Sequence, residues 1–428
     1  MRRLGGRTGL ARAAIGVVVA SLALSACGRE GGAGGQEKAE DAGTGKISGT
    51  VKVWAMGSEG ELLGDFAKEF ERANPGVRIE VTPMGMDVAH DRLVSSIAGN
   101  KTPDVSMIGT TWMGELAKTG ALDPAPGNLF DKARFFPGSW DTVQFNNTAY
   151  GVPWYVETRA FYYRKDLAEK AGVKPPTTWE ETRAFAKAVR DEAGASQGIY
   201  QNFRIDNWQE ILPLVWQSGG DIMNAGKTEW TLDTPEMVKA LTHFQSFYKD
   251  GTAPNKIDTG AFPQNFIKGQ AAAFYSGPWM IYSTEKDGGP GFSEKFDVAP
   301  YPKGSAGGTS LVGGGDLVVF KSTKNRDAAW RFVQWLTDPK TQAKWFTVSK
   351  DLPAVQSAWE DPALKADKRV AVFGETLKNA KTPPPLPTWT QVGKAMERET
   401  EKLALLKQTP EQAAAAMQKA AEQIGTGS

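Results

Sequence analysis

The chain has 428 residues, 40% of them apolar and 23% charged, with a formal net charge of +1. That length favours two or more domains, and that balance describes a globular body rather than a disordered chain. Arg2, Arg3, Arg7 and Arg12 crowd the start; without them the remainder carries −3, which argues against nucleic acid as a partner.

Those four arginines form a basic n-region, and Ala13 to Leu24 an apolar core too short to span a bilayer. Leu24-Ser25-Ala26-Cys27 follows and matches a lipobox. A stray thiol near a cleavage site is the alternative. Cys27 is the only cysteine, which favours lipidation and excludes a disulfide within one chain. Residues 1–26 are therefore expected to be a lipoprotein signal peptide, with Cys27 anchored through acyl chains. Export to the outer face of the cytoplasmic membrane follows, or to the periplasm if the host has an outer membrane. Arg2-Arg3 is too weak a signal to separate Sec from twin-arginine export. Residues 27–46 include Gly31-Gly-Ala-Gly-Gly35 and are expected to be a flexible tether.

Val51 and Val53 alternate with polar residues and open a first strand. Ser58 is expected to cap the helix after it, with Leu63, Phe66 and Phe70 on one face and Asn74-Pro-Gly76 as the stop. Val77, Ile79 and Val81 form a second strand, Leu93 and Ile97 mark a helix, and Val105 to Ile108 a third strand. Strand–helix–strand repeats imply a doubly wound, mainly parallel sheet. Ligands of such sheets lie beyond the carboxyl ends of strands, so Ser58-Glu59 and Thr111-Trp112 are expected to face one.

Gly151-Val-Pro-Trp154 begins a β-favouring segment that runs to Arg164. On a strand, Glu157 and Arg159 share one face and Thr158 takes the other. The cluster with Trp154 fits either a buried structural group or a cleft for a polyhydroxy ligand. Thr178 with Glu181 and Thr409 with Gln412 are capping-box patterns. Met237, Leu241, Phe244 and Tyr248 form one helical stripe after Thr234-Pro235. Gly277-Pro278 fixes a turn that can expose Trp279. Gly313-Gly-Gly315 reads as a second crossover, which brings Gly314 and Asp316 to the cleft.

Two distant histidines and one cysteine leave metal sites little support, and no cofactor is expected. No Ser/His/Asp arrangement or dinucleotide fingerprint stands out. What stands out is tryptophan at strand ends and loops: Trp112, Trp154, Trp208, Trp279 and Trp389. Core packing is the plain alternative and is accepted for Trp330, Trp335 and Trp345. An indole covers the C–H face of a sugar ring, and planar polar side chains take its hydroxyls.

From about Gly49 onward the chain resembles the extracellular sugar-binding proteins of ABC importers, the solute-binding family that includes maltose-binding protein. The pieces, in family order, are Thr102-Pro-Asp-Val105, Gly151-Val-Pro-Trp154, Tyr162-Tyr-Arg-Lys-Asp166, Pro176-Thr-Thr-Trp-Glu180, Gly219-Gly-Asp221 and Gly277-Pro-Trp279. The resemblance implies an α/β fold of two lobes with hinge crossovers. It places 47–155 with 313–340 in one lobe and 156–312 with 341–428 in the other. It implies that Glu157 is a sugar-binding acid of the crossover strand and Trp279 the Gly-Pro-Trp aromatic. Trp389 lies where relatives bring another aromatic to the cleft. Ser58 and Glu59 stand where maltose binders have an Asp-Lys pair, and Thr111 and Trp112 where they have Asp-Arg, so maltose itself is in doubt. The function implied is that of a monomeric, non-enzymatic binder that passes a di- or oligosaccharide to the transmembrane subunits of an ABC permease. A secreted carbohydrate-active enzyme, or a binder of a glycerophosphodiester or polyamine, stands as the alternative.

Overall fold

The computed structural model describes residues 39–204, 206–256 and 262–427. The signal peptide and Cys27 lie outside the described residues. The end of the expected tether does not hang free. Ala42 is buried, its N–H donates to Asn128 Oδ1 and its carbonyl accepts from Asn128 Nδ2. Arg326 holds the carbonyls of Glu40 and Asp41. Small residues and free backbone groups dock here, where the composition alone reads as linker.

Strand β1 (Gly49–Met56) buries Val51, Val53 and Ala55 and leaves Lys52 outside. It pairs in parallel with β2 (Val77–Met84) on one side and β3 (Val105–Gly109) on the other. Helices Gly57–Phe66 and Met86–Ala98 make the connections. The first helix starts one residue earlier than its expected cap. Met56 is the N-cap residue and no side chain caps it, because Ser58 turns to Glu59 instead.

Three further strands extend this sheet. β4 (Val152–Thr158), β8 (Ser310–Val319) and β9 (Leu352–Pro353) give the order β9-β4-β8-β3-β1-β2, with the short β10 (Ala380–Lys381) beside β8. β8 runs antiparallel to β3, Gly315 opposite Gly109, and β4 antiparallel to β8. The second sheet holds β5 (Ala160–Arg164) between β6 (Ala273–Ser276) and β7 (Phe296–Ala299). Its three strands pair antiparallel, where a mainly parallel sheet was expected; parallel pairing is confined to isolated bridges such as Tyr200–Phe274. Only Arg159 separates β5 from β4, so the second sheet starts where the crossing strand ends.

The expected lobe limits at 155/156 and 312/313 fall inside β4 and β8, which cross as unbroken strands. Residues just past 340 sit with the first lobe, not the second. In helix Pro339–Ser349, Trp345 packs on Phe66 and on Trp154, and Lys344 pairs with Glu69. The second lobe is built as its pattern predicts. Thr234 caps helix Pro235–Lys249, and Met237, Leu241, Phe244 and Tyr248 are buried along one stripe. Thr409 and Gln412 close a full capping box at the last helix, Pro410–Ile424.

Candidate functional site

Glu157 leaves β4 on the same face as Arg159, and the two form an ion pair, Oε1 to Nη1, of 3.3 Å. Thr158 points to the other face and bonds Ser310 Oγ. Arg159 is buried; its Nη2 donates to Gln209 Oε1, and its guanidinium carbon lies 5.0 Å from the ring centroid of Trp279. The Gly-Pro-Trp turn explains how that ring is held. A Cβ on Gly277 would sit 1.9 Å from Trp279 Cζ3, so the indole lies where only glycine leaves room. Tyr162 fixes the turn from below, donating to the Gly277 carbonyl at 2.6 Å. Trp279 is 40% exposed, whereas Trp154 is 1% exposed.

Glu59 stands in the first turn of helix Gly57–Phe66, 9% exposed, and accepts from Ser58 Oγ at 3.2 Å. Burial raises its proton affinity; bonds from its own backbone, Ser58 and Tyr155 oppose this, and Glu157 adds to it. Asp351 is pushed up to about 7, first by burial and then by Glu59, although Trp345 Nε1 donates to it at 2.8 Å. β9 pairs Leu352 with Val156, so the residue before it, Asp351, comes alongside Glu157.

The three glycines of β8 make space for this group. A Cβ on Gly313 would lie 2.8 Å from Glu157 Oε1, and one on Gly315 2.6 Å from Tyr155 Cε1. Gly314 has φ +129° beside the bulge in the β8–β4 pairing, 2.2 Å from the Tyr155 carbonyl were it to carry a Cβ. Its backbone takes a conformation that favours glycine. Thr111 and Trp112, half-buried, follow β3 at the end marked by the Gly109–Gly315 register. Trp112 lies edge-on to His90 at 5.0 Å, and His90 Nε2 is 2.9 Å from Glu115.

Four expected contacts are corrected. Trp154 is stacked on Trp345 within the core, centroids 5.0 Å apart. Trp208 and Trp389 are buried edge to face against each other, 5.2 Å apart, because both belong to the helical core of the second lobe. Asp316 is 1% exposed and accepts from Thr142 on the opposite face of β8. Val312, against Gly138, marks that same face. A cavity of about 1290 Å³ lies there too, lined by Gly138, Trp140, Asp141, Trp216 and Lys381 among others, and none of the expected site residues borders it.

The sequence model of the bacterial extracellular solute-binding proteins matches residues 65–372. This chain belongs to that family. The sugar-binding protein MalE of Xanthomonas citri is similar in structure, with a TM-score of 0.83 and 30% identity over 88% of this chain and 97% of that one. The maltotriose-binding protein of Pyrococcus abyssi is 27% identical over 79% of this chain and 74% of its own. The diacetylchitobiose-binding protein of Streptomyces coelicolor is 25% identical, over 89% of each.

Four members of this solute-binding protein's cluster escaped the sequence reading: Tyr155, Gln209, Glu210 and Asp351. Tyr155 could have been found, since the i, i+2, i+4 spacing puts it on one face with Glu157 and Arg159. Glu210, pushed up to about 8 by burial with Arg159 opposing, is in a helix whose pattern reads as packing. Asp351 arrives through a two-residue strand that leaves no pattern.

Proposed function

We propose that this solute-binding protein captures a di- or oligosaccharide between its lobes and hands it to the transmembrane subunits of an ABC permease. The observation that carries the reading is the exposed face of Trp279 beside the Glu157–Arg159 pair. The indole offers a platform for the C–H face of a ring. Glu157, Arg159, Gln209 and Glu59 offer planar groups for hydroxyls at its rim, with Ser58, Thr111 and Trp112 on the first lobe. The relatives named for maltotriose and diacetylchitobiose support an oligosaccharide.

The crossing strands β4 and β8, with β9, act as the hinge, and a ligand that touches both lobes favours closure. No chemistry on the sugar is part of this function. The protein works as a monomer, exported and held to the outer face of the membrane by lipid on Cys27. No helix among the described residues is long and apolar enough to cross a membrane.

The test is a panel of mono- and oligosaccharides read by tryptophan fluorescence and melting temperature. A ligand at a hundred times its Kd stabilises by about 2.7 kcal/mol. Absence of both signals across the panel would sink the sugar reading.

A further inference from the structure

We infer that the saccharide carries a protonated amine, received by Glu59, Glu157 and Asp351 at the hinge; this rests on the sugar-binding reading above. The register of β9 on β4 brings Asp351 alongside Glu157, and like charges across paired strands repel. Glu59 reaches the same place from the first lobe, fixed by Ser58 and Tyr155, and acts on both other acids. Three carboxyl groups thus gather around Tyr155, and of these Glu157 is paired with a cation, Arg159.

That cation is already engaged. One arm of the guanidinium bonds Gln209 and its face lies on Trp279. Its Nη1, in a side chain nine-tenths buried, points at Glu157 from 3.3 Å and makes no hydrogen bond. Lys350, next to Asp351 in the chain, does not supply the missing charge. Its ammonium lies over the rings of Tyr282 and Phe346, at 5.3 and 5.5 Å. The free protein answers part of the deficit at Asp351, which burial pushes up to about 7, and burial raises the proton affinity of Glu59 as well. A ligand ammonium takes over that role with charge-assisted hydrogen bonds. A phosphate or uronate meets net repulsion. A linear polyamine satisfies the acids but leaves the exposed indole without a ring.

The test is calorimetry on the exported chain at pH 7 with four probes: the β-1,4 dimer of glucosamine, its N-acetylated form, cellobiose and spermidine. The first three share rings and linkage and differ at nitrogen. The free amine should bind about tenfold or more tightly than either counterpart, a difference of about 1.4 kcal/mol. It should also release protons, seen as heats that vary with the buffer's ionisation enthalpy. Glu59→Gln and Asp351→Asn should each shrink the ratio of amine to N-acetyl affinity to less than about threefold while the melting transition stays cooperative. A ratio of one or below in the unaltered protein overturns the amine assignment. So does a failure of all three disaccharides while another saccharide of the broader panel binds, and the sugar reading then survives. Binding of spermidine alone, or of nothing in either panel, removes both.

Discussion

Thr142 donates a hydrogen bond of 3.0 Å to Asp316 Oδ1 behind the hinge, and Asp316 Oδ2 has no partner. Burial pushes this carboxyl up to about 8, so it is a neutral acid in the folded protein at pH 7. The unfolded chain has already lost that proton near pH 4. Between those values the folded state binds more protons, so stability falls as pH rises, by up to about 1.4 kcal/mol per pH unit. Asp316→Asn keeps the shape without the charge. It should reduce the slope by this group's share, leaving the part due to Glu210 and Asp351, and raise the melting temperature at pH 8 by several degrees, read as melting curves from pH 4 to 9.

Trp154 and Trp279 look equivalent in sequence and are opposite in structure. Trp154→Ala empties a stacked core site and should cost about 3–5 kcal/mol, or on the order of 10 °C in melting temperature. Trp279→Ala removes an exposed ring and should cost little stability, yet lower ligand affinity by about tenfold to a hundredfold. Thermal melts and titration of one saccharide against both variants separate the two roles. Equal loss of affinity with unchanged stability in both would contradict the assignment.

Gly277→Ala tests how the platform is held. Its new methyl meets the indole at 1.9 Å, so the ring must swing away from Arg159. The residue is not in the left-handed region, and the backbone itself tolerates alanine. The expected result is a loss of affinity of about tenfold or more with only a few degrees lost in melting temperature. A shifted tryptophan emission maximum in the free protein should accompany it.

Local periodicity made much of this molecule legible. β1, β2 and the Pro235–Lys249 helix bury the residues their spacing predicts. Glu157 and Arg159 share a face because a strand has period two. Composition could not tell a buried indole from an exposed one. Whether Trp154 meets Trp345, or Trp208 meets Trp389, depends on contacts 181 or more residues apart. The glycines of β8 read as a hinge, but their use is steric: two make way for Glu157 and Tyr155, and the third takes a positive φ. Asp351 was invisible for the same reason as the docking of Ala42. Each is placed by a partner far along the chain.

That docking yields the last prediction. Asp123 Oδ2 accepts from Arg326 Nε at 2.7 Å and from Trp330 Nε1 at 2.6 Å. The same guanidinium reaches the carbonyls of Glu40 and Asp41, so one carboxylate orients the cation that pins the start of the described chain. The pair is largely buried, and removing one partner strands the other. Asp123→Ala leaves Arg326 and the Trp330 N–H without their acceptor and should cost about 2–4 kcal/mol. Limited proteolysis should then cut within residues 39–46 faster than in the unaltered protein, while affinity for saccharide, governed on the far side of the hinge, stays within about twofold. If cutting there were unchanged while stability fell, the salt bridge would hold the core alone and not the segment leading into it.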